Sequence, residues 1–224
     1  MAIKAMKLGI PVGDLKVSGI LVRPDEAKAL YLFAHGAGLG MAHPMMEANA
    51  HGLARRGIAT LRYNFPYMEK GGGPPDPPRI AQATVRAANA AAAQFAADLP
   101  LFAGGRSYGG RMTSQAQAQA PLPNVRGLAF LGFPLHPAGQ PGTDRAEHLE
   151  QVQVPMLFVS GERDALADMS LLKPLVEGLG ERATLHPVAH ADHGLRVTAK
   201  SGRGPADAMN EALDTLAEWM KALA

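Results

Sequence analysis

The chain contains no cysteine. That excludes a disulfide framework, a thiolate metal site and a cysteine nucleophile together, and it fits a cytoplasmic protein. Tryptophan occurs once and phenylalanine seven times, too few for an aromatic surface on which single-stranded nucleic acid would stack. Charge of one sign is also scarce: the formal net charge is +2, with no run of lysine and arginine. Nucleic acid is therefore not an expected partner. No apolar run approaches the roughly 20 residues of a membrane span, so no membrane partner is expected either. The first twenty residues are interrupted by Lys4, Lys7, Pro11, Gly13, Asp14 and Lys16, which leaves no room for the apolar stretch of a secretory signal. What is present is a chain of 224 residues that is 47% hydrophobic. This suits one α/β domain over 1–224 with a full core, without internal repeats or linkers.

Apolar runs of strand length alternate with helical stretches. Strands are expected at 15–22, 29–34, 58–63, 101–103, 125–133, 155–160 and 183–188. The run Ala29 to Ala34 is apolar throughout, as in strands buried on both faces of a helix-covered parallel sheet. Helices are expected at 45–56, 80–97, 111–120, 169–178 and 205–223, with a short one at 144–149. Pro44 opens the first and Gly57 closes it. The helix over 169–178 carries Pro174 inside it, where a kink is expected. In the terminal helix Met209, Ala212, Leu213, Leu216, Trp219 and Met220 recur at helical spacing and form a core stripe. Residues 64–78 read as a loop: Gly71-Gly72-Gly73 makes its first half mobile and Pro74, Pro75, Pro77 and Pro78 stiffen the second. The prolines read as a rigid rim of a site rather than a polyproline ligand. The alternation implies a mostly parallel sheet with helices on both faces.

One stretch organises the chain: Gly104-Gly105-Arg106-Ser107-Tyr108-Gly109-Gly110. It contains Gly-x-Ser-x-Gly between an apolar strand and a helix. In that context the pattern is a nucleophile elbow, a tight turn that lifts a serine oxygen clear of the sheet. Outside it, the pattern would be a glycine-rich turn with Ser107 as a helix cap. Ligands of open α/β sheets bind outside the carboxyl ends of the strands. At those ends stand His35-Gly36-Ala37-Gly38, Ser107, Asp164 and His193. The order Ser, acid, His is that of one triad fold among several.

The roles follow from chemistry. Ser107 needs a base within hydrogen-bond reach, and His193 supplies an imidazole able to take and return a proton. Asp164 would orient that imidazole. Backbone N–H groups of Ala37 and Tyr108 would form the oxyanion hole, with Gly38 as a substitute for Ala37. Each role has a rival. His186 and His190 compete with His193, and the spacing His186-x3-His190-x2-His193 also admits a metal reading, although no helix carries it. Glu162 and Asp168 compete with Asp164. Asp192 reads as a turn residue, and His35 as a structural group bonded to loop backbone. Arg106 and Arg111 flank the serine, where either would bind an anionic substrate such as a carboxylate or else pack on the surface. Met45, Met46 and Met68 would line an apolar acyl pocket or pack in the core. No cofactor and no metal are expected.

These residues resemble the α/β-hydrolase superfamily and, within it, the small lid-less hydrolases grouped with dienelactone-hydrolase-like proteins. The resemblance is carried by His35-Gly36-Ala37-Gly38, Arg62-Tyr63-Asn64-Phe65-Pro66, Gly104 to Arg111, Gly161-Glu162-Arg163-Asp164 and Asp192-His193. It implies an α/β-hydrolase fold and an esterase-like serine hydrolase. Dienelactone hydrolases proper use a cysteine nucleophile, which this chain lacks, so their substrate does not carry over. The segment 134–154 is about twenty residues, too short for a large cap domain. The expected activity is cleavage of a small carboxylic ester, thioester or lactone through Ser107, His193 and Asp164. The rival is a non-catalytic binding or scaffold protein on the same fold. A nucleotide-binding reading of the glycine loop fails for want of the Gly-Lys-Ser/Thr ending of a phosphate loop.

Overall fold

The computed structural model describes residues 2–224. Eight strands form one sheet in the order β1-β2-β4-β3-β5-β6-β7-β8. In chain order these are β1 Ile3–Val12, β2 Leu15–Pro24, β3 Ala29–Ala34, β4 Ile58–Tyr63, β5 Leu101–Arg106, β6 Val125–Leu131, β7 Met156–Gly161 and β8 Ala183–Val188. The helices are α1 Pro44–Arg55, α2 Pro66–Glu69, α3 Pro78–Phe95, α4 Tyr108–Gln119, α5 Met169–Gly178 and α6 Asp207–Ala222, with a 3₁₀ segment at Asp144–Gln151. Strands β4, β3, β5, β6, β7 and β8 run parallel, while β1 and β2 are antiparallel to their neighbours. This is the mostly parallel, helix-covered sheet that the alternation implies.

The pleat divides each central strand between two cores. In β3, Leu30, Leu32 and Ala34 join one apolar cluster, and Ala29, Tyr31 and Phe33 join the other. The first is covered by α3, α4 and α5, through residues such as Val85, Ala88, Met112 and Leu172. The second is covered by α1 and α6, through Met46, Leu53, Leu213 and Leu216. On α6 the buried stripe is Ala208, Ala212, Leu213, Leu216, Ala217 and Met220, with Met209 and Trp219 packed at its margin. Three helices start on proline, α1, α2 and α3, where the missing N–H costs nothing and φ is already set.

Three sequence expectations need correction. The strand β1 was not expected. Its apolar face, Met6, Leu8, Ile10 and Val12, alternates correctly, and Gly13-Asp14 closes a two-residue hairpin with Val12 opposite Leu15. Gly13 takes φ 57° there, as the first position of a hairpin turn demands. Lys4, Lys7, Gly9 and Pro11 hid the alternation, because an edge strand tolerates what a central one cannot. Second, the loop over 64–78 contains the short helix α2. Third, β5 runs on through Gly104 and Gly105 to Arg106, so the elbow follows the strand without an intervening loop.

The chain leaves β3 toward β4 on one side, whereas β5 lies on the other side of β3. The connections after β3 and β5 therefore part company at one point of the sheet edge. That opens a crevice at the carboxyl ends of the strands, and residues 35–43 and Ser107 stand there.

Candidate active site

Ser107 sits between β5 and α4 with φ 48° and ψ −117°. A left-handed conformation at a non-glycine residue stores about 1–3 kcal/mol of strain, held here by close backbone packing. A Cβ on Gly109 would lie 2.4 Å from the His35 carbonyl oxygen, and one on Gly105 2.4 Å from that of Ala34. Only glycine lets the start of α4 approach β3 so closely. The Ser107 N–H is bound to the Leu131 carbonyl at 3.1 Å, which ties the elbow to β6.

A continuous hydrogen-bonded chain runs from this serine. Ser107 Oγ lies 2.9 Å from His193 Nε2, and His193 Nδ1 lies 2.9 and 2.8 Å from the two carboxylate oxygens of Asp164. A carboxylate only accepts, so Nδ1 carries the proton and Nε2 offers its lone pair to the serine hydroxyl. The Asp164 side chain is fully buried. It is held by the Leu166 N–H at 2.8 Å and, more weakly, by the Ser160 hydroxyl at 3.5 Å. The loops bearing Asp164 and His193 touch through backbone: a Cβ on Gly161 would fall 2.3 Å from the Ala191 carbonyl oxygen. Leu195, two residues after His193 and buried in the core under α1 and α6, takes φ 53°, a second strained position in the loop that carries the histidine.

The rivals go elsewhere. His186 pairs with Glu211 at 2.8 Å. The His190 N–H is bound to Glu162 at 3.3 Å. Asp168 caps α5 by accepting from the Ser170 N–H at 2.8 Å. The His186 and His193 rings thus pair with different carboxylates, and among the described residues no cluster of three metal-ligating side chains occurs. Asp192 holds the turn, accepting from the Arg196 backbone N–H at 2.9 Å.

Toward β3, the N–H groups of Ala37 and Tyr108 make no hydrogen bond among the described residues. The Gly38 N–H is already taken by the Tyr67 hydroxyl at 3.2 Å. The loop itself is held from below. His35 Nδ1–H donates to the Gly36 carbonyl at 2.8 Å, and Nε2 accepts from the Phe65 N–H at 3.1 Å. Burial pushes the His35 imidazole down to about 4, so it stands neutral and structural. The Arg62 guanidinium donates to the Met41 carbonyl at 2.7 Å, and Asn64 accepts from the Met41 N–H at 2.8 Å. Tyr67 in turn takes the Asp76 carboxylate on its own N–H at 2.9 Å, and the Tyr108 hydroxyl donates to the Asp76 carbonyl at 3.0 Å. The glycine–proline loop is therefore pinned at Asp76 to the segment beside the site. Sequence reading missed Tyr67 and Asp76 because both lie in a stretch without periodic pattern.

Ser107 and His193 open into a cleft of about 730 Å³ lined also by Gly36, Ala37, Leu39, His43 and Met45 on one side and Arg163, Ala165 and Leu166 on the other. That volume suits a small-molecule ligand. Arg106 lines it too; its guanidinium is buried and donates to the His193 carbonyl at 3.1 Å. Arg111 does not line this cleft, nor do Gly38, Met46 and Met68. Met46 is buried in the core under α1, and Met68 packs at the edge of the opposite core.

Residues 27–221 match the family described as "Alpha/beta hydrolase domain". The chain belongs to this family. Solved structures with the same fold include a dienelactone hydrolase from Anabaena variabilis, 22% identical over 99% of this chain and 98% of that one, with a TM-score of 0.77. A lid-less α/β serine hydrolase from Xanthomonas campestris is 20% identical over 96% and 95%, with a TM-score of 0.73. The esterase domain of a Rhodothermus marinus protein is 17% identical over 99% of both chains, with a TM-score of 0.68. At such identities the likeness establishes the hydrolase fold. Among the described residues no helix is long and apolar enough to cross a membrane.

Proposed function

We propose that the protein is a serine hydrolase that cleaves a small carboxylic ester, thioester or lactone through an acyl-enzyme. The observation that carries this reading is the Asp164–His193–Ser107 chain at a strained elbow, with two unengaged N–H groups beside it. Ser107 Oγ attacks the carbonyl carbon while its proton passes to His193 Nε2. Asp164 stabilises the imidazolium through Nδ1–H. The carbonyl oxygen becomes an oxyanion between the Ala37 and Tyr108 N–H groups, each such donor being worth about 3–4 kcal/mol in the transition state. The tetrahedral adduct collapses as His193 returns the proton to the departing alkoxide or thiolate. Water then repeats the sequence on the acyl-Ser107 ester, with His193 as base, releasing the acid and restoring the serine.

The open cleft and the absence of a large insertion between β6 and β7 favour a small substrate. The test is labelling with a fluorescent phosphonate, beside hydrolysis of p-nitrophenyl esters of graded acyl length. Wild type is expected to label and turn over. Ser107→Ala is expected to lose labelling and at least about 10⁴-fold in kcat. Folded wild type that neither labels nor hydrolyses would leave the non-catalytic scaffold as the better reading.

A further inference from the structure

The cleft at Ser107 is unbalanced in charge. Three arginines line it, Arg106, Arg163 and Arg196, against one lining acid, Asp192, while the buried Asp164 carboxylate is paired to His193. Arg196 is accounted for: its guanidinium sits on the Asp192 carboxylate at 3.1–3.2 Å. The other two are not. Arg106 is 4% exposed; one terminal nitrogen holds the His193 carbonyl and the other, Nη1, is buried without a partner. Neither forms an ion pair among the described residues. Arg163 is anchored by its backbone N–H to the Ala191 carbonyl at 2.9 Å, while its side chain makes no hydrogen bond and stands exposed at the wall of the cleft. The loop bearing Asp164 therefore presents a rooted but unoccupied guanidinium to the same space as Ser107.

Holding an unpaired guanidinium out of water is costly. A neutral substrate that covered this cleft would add to that cost, because it would strip water from Arg163 as well. An anionic substrate reverses the sign: it gains from Arg163 directly and from the charge of Arg106 through a low-dielectric wall. We propose that the substrate carries a carboxylate on its acyl or its alcohol part, docked on Arg163 in the field of Arg106 while its ester bond lies at Ser107. The free fork offers two parallel N–H groups, the number that the two oxygens of a carboxylate take up. Arg106 has a second duty in this arrangement, since it also holds the backbone of His193. This inference rests on the hydrolase reading for the position of the ester bond.

The test measures binding without turnover, in the Ser107→Ala protein by calorimetry at low ionic strength. Two matched pairs are compared: monoethyl succinate against ethyl butyrate, with the carboxylate on the acyl side, and 4-carboxyphenyl acetate against phenyl acetate, with it on the alcohol side. The anionic member of one pair is expected to bind at least about tenfold tighter, the range of a charge-assisted hydrogen bond. The ratio should fall as salt is added, collapse toward unity in Arg163→Gln, and rise in Asp192→Asn, which removes the one lining acid. Binding within about twofold for both pairs, or a ratio that survives Arg163→Gln, overturns the proposal. Turnover by wild type is read separately. Hydrolysis of neutral esters with no anionic preference would sink the carboxylate site alone. Preference without turnover of any ester would keep the anion site and sink the hydrolase reading.

Discussion

Lowering the pH from 7 to 5 should loosen the fold through His35. This ring is fully buried, and its two nitrogens are committed in opposite senses. Nδ1–H donates to the Gly36 carbonyl, and Nε2 must be bare to accept from the Phe65 N–H. Protonation would place a second N–H against the Phe65 donor and a charge where water does not reach. Burial accordingly holds the group down, from 6.5 to about 4. In the unfolded chain it titrates near the ordinary value, so between these limits the unfolded state binds more protons. Stability from the neutral ring is then complete above about pH 6.5 and is lost as pH falls toward 4. At about 1.36 kcal/mol per pH unit the gap amounts to about 3 kcal/mol at the acid end, and to about 2 kcal/mol by pH 5. His148, also held down to about 4 by burial and by the nearby Arg111, adds a parallel loss, so wild type alone does not isolate His35. The assay is therefore urea unfolding of wild type and His35→Gln at pH 7, 6 and 5. The variant is expected to be less stable at pH 7 by about 2 kcal/mol, for one or two lost buried hydrogen bonds. The difference between the two proteins should shrink by about 2 kcal/mol on going to pH 5, since only wild type has this proton to take up. A difference that stays constant across the range would refute the reasoning, because His35 would then titrate alike in both states.

Three further outcomes follow from the site. Tyr67→Phe removes the acceptor of the Gly38 N–H and should lower kcat about three- to tenfold with KM little changed, by loosening the segment that aims the Ala37 N–H; a KM effect alone would argue for a substrate contact instead. Asp164→Asn replaces the acceptor that fixes the His193 tautomer, and kcat on a p-nitrophenyl ester should fall about 10³–10⁴-fold while the Tm shows the protein still folded. Gly161→Ala places a methyl 2.3 Å from the Ala191 carbonyl oxygen and 2.5 Å from that of Asp192. Backbone cannot yield as a side chain would, so a loss of more than about 2 kcal/mol in stability is expected, and wild-type stability in urea would show that the acid and histidine loops are not in contact.

Much of this molecule is legible in one dimension. The apolar run at 29–34 is buried on both faces and needed no tertiary partner to be read, because a strand covered twice has no polar residues to confuse it. The elbow was legible for a similar reason: glycine on both sides of one serine meets a steric demand that no other residue meets. Strand β1 and helix α2 escaped because their signals are weak one by one. An edge strand admits lysine and proline, and a four-residue helix has no period to detect.

The residues alone give the central strands, the long helices and the chemistry offered at the strand ends: an α/β sheet and a serine, an acid and a histidine in one order. What the tertiary structure decided was which of several equivalent side chains meet. Glu162, Asp164 and Asp168 are alike to a sequence, as are His186, His190 and His193. Only folding brings Asp164 and His193 within 2.8 Å of each other, while His186 goes to Glu211, Asp168 takes the Ser170 N–H and Glu162 takes the His190 backbone N–H. The same holds for charge. Arg106, Arg111 and Arg163 are equal in one dimension, and it takes the closed sheet edge to bury the first, turn the second away and leave the third facing the cleft. Local sequence sets what a segment prefers; distances between segments far apart in the chain are set by the packing of the sheet against its helices.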